Sequence, residues 1–201
     1  MGNQYNVLFV CTGNAARSIM AEAILGHVGM GRFAAYSAGS HPASRVHPET
    51  VRQLELAQMD GDAYRTKSWE MFAWPGTPRM DFVITLCAVA ASRPQPQFPG
   101  NPISVHWPTP NPEAVEGSPE EVRHAFGAVF ALLNERIRRM VALRAAERGK
   151  EALRRELERM AESARRLAAD ELTLGVGEGL ATDAEAVPVG EAGLAGELIP
   201  A

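Results

Sequence analysis

Cys11 and Arg17, with five residues between them and Ser18 directly after, are the residues of this chain whose types and spacing point to a chemistry. A cysteine at the end of an apolar run, then a loop of small residues, Thr12-Gly13-Asn14-Ala15-Ala16, then an arginine opening a helix make a cradle for an oxyanion. Loop N–H groups and a helix N-terminus converge on one point and favour negative charge there. A guanidinium can grip two oxygens of a tetrahedral oxyanion through its planar fork. The same field favours a thiolate, so Cys11 is expected to be a nucleophile with a depressed pKa. Ser18 is in reach to hydrogen-bond that thiolate. Asn14 is expected to hold the loop's shape through backbone hydrogen bonds.

These residues need a strand before them and a helix after. Val7 to Val10 reads as the strand and Ile19 to Val28 as the helix. Further strands are expected at Phe33 to Tyr36, at the apolar run Phe82 to Leu86 and at Ile103 to His106. Helices are expected at Pro48 to Gln58, with His47 near its start, and at Lys67 to Phe72. Ser118-Pro119-Glu120-Glu121 is a capping box with proline in the first helical position, so a helix starts there and runs through Val122, Phe126, Val129, Leu133 and Ile137. This alternation implies a four-stranded parallel sheet with helices on both faces and a ligand at the carboxyl ends of the strands. Cys11 lies at such an end, and so does Cys87.

Cys11-Thr-Gly-Asn-Ala-Ala-Arg17-Ser18 resembles the phosphate-binding loop of low-molecular-weight protein tyrosine phosphatases, and most closely their arsenate reductase branch, where Cys-Thr-Gly-Asn-Ser-Ala-Arg-Ser is usual. Tyr36-Ser-Ala-Gly-Ser40, Thr66-Lys-Ser-Trp69, Asp81-Phe-Val-Ile-Thr-Leu-Cys87 and Val105-His-Trp107 extend the resemblance over about residues 5 to 143. It implies that Cys11 attacks arsenate held by Thr12 to Ser18, and that Cys87 then attacks Cys11 and releases arsenite. It also implies an external thiol reductant, such as thioredoxin, glutathione or mycothiol, and neither a metal nor an organic cofactor.

Two departures matter. Related enzymes carry a further cysteine before Pro96, whereas Gln95 stands here and the chain has two cysteines in all. A three-thiol relay is therefore impossible. Either a Cys11–Cys87 disulfide is reduced directly, or a small thiol resolves Cys11. The family's Asp-Pro, whose carboxyl protonates the leaving oxygen, is Asn111-Pro112 in this chain. An amide has no such proton, which weakens hydrolysis of phosphate esters more than reduction of arsenate. Hydrolysis of aryl phosphates through a phosphocysteine, and oxyanion binding without turnover, stay open as alternatives. His41, His47 and His106 have no metal-site spacing, and His106 beside Trp107 reads as a packed strand-end residue. Arg93 reads as a solvated loop arginine.

The remaining expectations concern the chain's ends and surroundings. The body spans residues 1–143, followed by an amphipathic extension over 144–174. Within it, Glu151 to Leu172 carries Leu153, Leu157, Met160, Ala164 and Leu167 at steps of four and three. Such a stripe serves either a helix folded back on the domain or an oligomer contact through 151–172; Gly149 marks the break before it. Residues 175–201 hold five acidic residues, six glycines and no lysine or arginine, the composition of a disordered acidic tail. A net charge of −4 gives no reason to expect a nucleic acid. No apolar run is long enough for a membrane span and no leader pattern precedes the first strand, so the expected location is the cytoplasm.

Overall fold

The computed structural model describes residues 4–143 and 149–173, with side chains as far as Glu162 in the last helix. The acidic segment 175–201, expected to be disordered, lies outside these residues. Four strands, β1 (Tyr5–Cys11), β2 (Phe33–Gly39), β3 (Phe82–Thr85) and β4 (Ile103–His106), form one parallel sheet in the order β2-β1-β3-β4. β1 and β3 are nearly continuous apolar runs, buried along their length, as parallel strands covered on two faces must be.

The helices are α1 (Arg17–Val28), α2 (Pro48–Leu56), α3 (Ala88–Ser92), α4 (Pro119–Ala142) and α5 (Lys150–Thr173). The connection from β1 runs one way to β2, and the connection from β3 runs the other way to β4. Right-handed crossovers therefore put α1 and α3 on opposite faces. α4 packs along α1 and α2, and α5 lies along the edge strand β4. The point where the strand order reverses lies between β1 and β3, which is where open α/β sheets hold their ligands.

The expected elements are present with shifted ends. β2 runs on to Gly39, past the expected end at Tyr36, and α2 stops at Leu56. The segment expected as a helix from Lys67 is a 3-10 turn, Trp69–Ala73. The Ser118 capping box forms in full, with the serine hydroxyl accepting from Glu121 N–H and the Glu121 carboxylate accepting from Ser118 N–H. α5 folds back on its own domain: Leu153, Leu157 and Ala161 are buried, and Met160 packs at the margin. The ring N–H of buried Trp107 donates to the Leu157 carbonyl at 3.2 Å, and Lys150 pairs with Asp81. Leu153 and Leu157 thus face the sheet of their own chain. Gly149, at φ +96°, turns the backbone into α5.

Candidate active site

Cys11 is the last residue of β1, and the loop Thr12–Ala16 carries the chain from it into α1 at Arg17. The loop's carbonyls are tied to the outside. Cys11 O accepts from Ser40 N–H, Thr12 O from His41, Gly13 O from Ala43, and Ala15 O from both His47 N–H and the Thr50 hydroxyl. Each planar peptide whose carbonyl points outward turns the following N–H inward, so the loop presents amide protons to its concave side. One of them, Asn14 N–H, reaches Cys11 Sγ at 3.3 Å.

Asn14 is fully buried and sits at φ +48°, a left-handed conformation that asparagine tolerates well. Its side chain is the hub of the loop. Nδ2 donates to Ser18 Oγ at 2.9 Å and to Ser37 Oγ at 2.8 Å, and Oδ1 accepts from Lys67 N–H at 2.7 Å. With its two protons spent on the serines, Asn14 leaves each hydroxyl proton to point onward. Ser37 donates to Glu22 Oε2 at 2.5 Å, and Ser18 Oγ lies 3.0 Å from Cys11 Sγ. Glu22 also pairs with Lys67 at 3.2 Å. Besides the backbone bonding expected of it, here to Lys67 N–H, Asn14 thus bonds two serine hydroxyls. Ser37, Glu22 and Lys67 were not singled out from sequence, although Ser37 and Lys67 lie within the motifs Tyr36–Ser40 and Thr66–Trp69.

Burial pushes the Cys11 thiol above its ordinary range, while the Arg17 charge and the Ser18 hydrogen bonds pull it back without prevailing. This reverses the expected depression. A reading of motifs counts donors and cations but not the water that a fully buried sulfur loses. Arg17 is itself buried, and its Nη1 donates to the Thr109 carbonyl at 3.3 Å.

Cys87 follows β3 as Cys11 ends β1. Val10 pairs with Thr85, and Leu86 N–H donates to Val10 O at 2.7 Å, so the two cysteines flank the point where strand order reverses. Both are free and buried, and Cys87 Sγ lies 3.3 Å from the hydroxyl of Thr12, the neighbour of Cys11. Cys87 also precedes the short helix α3, which sequence reading missed: Ala-Val-Ala-Ala-Ser has no side-chain cap to announce it. Gln95, in the place of a relay cysteine, accepts from Ser104 on β4 at 3.4 Å.

Asn111 begins a 3-10 turn, Pro112–Ala114, two residues after the carbonyl that holds Arg17. Its Oδ1 is buried without a hydrogen-bond partner. Glu113 beside it is exposed. His47 caps α2 and stacks on Phe126, while His106 lies against Thr85. Among the described residues no group of three or more histidines, cysteines and carboxylates is placed to hold a metal, and no helix is long and apolar enough to cross a membrane.

A model of the low-molecular-weight phosphotyrosine protein phosphatases matches residues 6–159. The glutaredoxin arsenate reductase of Synechocystis sp. is 31% identical over 136 residues, 68% of this chain and 95% of its own. An arsenate reductase of Bacillus licheniformis is 33% identical over 134 residues, 66% of this chain and 92% of its own. A solved arsenate reductase in its phosphate-binding state superposes with a TM-score of 0.54 at 27% identity, over 69% of this chain and 98% of that one.

Proposed function

The chain belongs to the low-molecular-weight phosphotyrosine protein phosphatase family, in its arsenate reductase branch, and from that premise we propose that it reduces arsenate to arsenite with a thiol donor. The observation that carries this reading is the pair of thiols at the carboxyl ends of adjacent strands, one inside the oxyanion loop and the other bonded to the loop's first residue. The Cys11 thiolate attacks arsenic in an oxyanion held by the loop amides and Arg17, and a protonated oxygen leaves as water. A second thiol, that of Cys87 or of a small external donor, then attacks Cys11 Sγ. A disulfide forms, the electron pair of the sulfur–arsenic bond stays on arsenic, and arsenite departs. One two-electron reduction is balanced by oxidation of two thiols. An external thiol reductant then reduces that disulfide back to thiols, itself becoming oxidised, and none of these steps calls for a metal or organic cofactor.

Ser18 and the Asn14 hub support the first step by fixing the hydroxyl beside the attacking sulfur. Phosphatase chemistry would use the same Cys11 and Arg17. It also needs an acid for the leaving alkoxide or phenolate, and the amide of Asn111 has no proton to give.

The test is arsenate-dependent oxidation of thioredoxin, glutathione or mycothiol systems, run beside aryl phosphate hydrolysis. Arsenite production lost in Cys11→Ser and strongly reduced in Cys87→Ser supports the internal disulfide. Activity kept in Cys87→Ser assigns the second thiol to the external donor. Protein that binds oxyanions yet turns over neither substrate overturns the proposal.

A further inference from the structure

We propose that Arg136 is a positioning residue for Arg17, acting through the wall segment Pro108–Thr109 that both arginines grip. This rests on the reading that Arg17 holds the oxyanion. Arg136 lies on α4, at the flank of the face that buries Leu133 and Ile137. Its Nη1 donates to Pro108 O at 2.8 Å and to Thr109 Oγ1 at 3.3 Å. Thr109 is buried and every polar group it has is engaged. Its N–H donates to Leu86 O, its hydroxyl to Trp107 O, and its carbonyl accepts from Arg17 Nη1. One threonine is thus clamped between a guanidinium from α1 and a guanidinium from α4, and tied to β3 as well.

The placement has a charge consequence. Burial draws Arg136 down to about 10, so it is still a cation at neutral pH. Its hydrogen bonds go to neutral acceptors, and the neighbouring Glu135 carboxylate only partly offsets the burial, acting through space. Two cations converging on one residue repel each other, and an anion beside them relieves that repulsion. If the wall slackens, the carbonyl that orients Arg17 moves, and Arg17 loses its aim at the oxyanion. A residue distant in sequence from the Cys11 loop then sets how well that loop holds its ligand.

The probe is inorganic phosphate, scored by protection of Cys11 from iodoacetamide and read on the Cys11 peptide by mass spectrometry, so no turnover is required. Arg136→Met in the full chain is expected to weaken phosphate protection about ten-fold, the scale of one charge-assisted hydrogen bond lost. It is also expected to raise the midpoint pH of Cys11 labelling, because Arg17 lowers that thiol's pKa. Arg136→Lys, which keeps the charge and a donor for Pro108 O, is expected to recover part of both effects. In an Arg17→Met background the Arg136→Met change is expected to have little further effect. If Arg136→Met lowers only the melting temperature and leaves protection and the labelling midpoint unchanged, Arg136 merely ties α4 to the loop and the proposal fails. It fails equally if the effects persist undiminished without Arg17. If Arg17→Met itself leaves phosphate protection intact, it is the underlying reading of Arg17 that fails. Should Arg136→Met not fold, Arg136→Lys and Thr109→Val carry the same comparison.

Discussion

At the scale of single residues, the opposing forces on Cys11 set a pH dependence. Burial holds its proton more tightly in the folded chain than in the unfolded one, despite Arg17 and Ser18. This group therefore stabilises the fold fully below the unfolded thiol's pKa, and the contribution is lost as pH rises through the higher folded value. Denaturant unfolding followed across the alkaline range should show that decline, and Cys11→Ala should lack it. Labelling of Cys11 should have its midpoint above that of an ordinary thiol and move higher still in Arg17→Gln. Asn111 gives a second residue-scale expectation. Asn111→Asp supplies a carboxyl on the segment adjoining the Arg17 anchor, and should raise aryl phosphate hydrolysis by about 10²-fold, the lower end of a general acid's contribution. Initial rates with and without the substitution check it. How much of the site was legible in sequence follows from the range of its contacts. Cys11, Asn14, Arg17 and Ser18 lie within one short loop, so local spacing revealed them. Thr109 joins that loop across 92 residues of chain and Arg136 joins Thr109 across 27, and no local pattern marks either one.

At the scale of elements, the loop depends on how closely β2 passes behind it. Gly39 ends β2 opposite Cys11, and a Cβ there would lie 2.6 Å from Thr12 O and 3.0 Å from Asn14 N. Both neighbours are backbone, so neither can swing away. Gly39→Ala should destabilise the chain by about 1–3 kcal/mol, as overpacking of a tight core does, and should weaken phosphate protection of Cys11. Urea denaturation and the labelling assay measure the two effects. Strands β1 and β3 were readable because continuous apolar runs are what a doubly covered sheet requires. The far end of β2 was not, because Ser37, Ala38 and Gly39 lack the branched apolar side chains that mark a strand. They are there to bond Asn14 and to let two backbones meet.

At the scale of the whole molecule, α5 packs against β4 and over Trp107. Ending the chain after Gly149 would uncover the apolar surface that Leu153 and Leu157 cover, each leucine worth about 1.5–3 kcal/mol when fully buried, and would leave that patch open to association. A lower melting temperature and aggregation by light scattering are expected. Ending it after Thr173 removes a segment with five acids and no lysine or arginine, and should leave the melting temperature unchanged. The outward-tied carbonyls of the Cys11 loop carry one more consequence. At Gly13, Ala15 and Ala16 the surface offered to the anion is made of peptide groups, with side chains no larger than a methyl. An alanine scan would pass over Ala15 and Ala16 in silence, although they line the cradle. Replacing single amides there with esters, by chemical synthesis of the segment, would delete one proton donor at a time and count how many of them the anion uses.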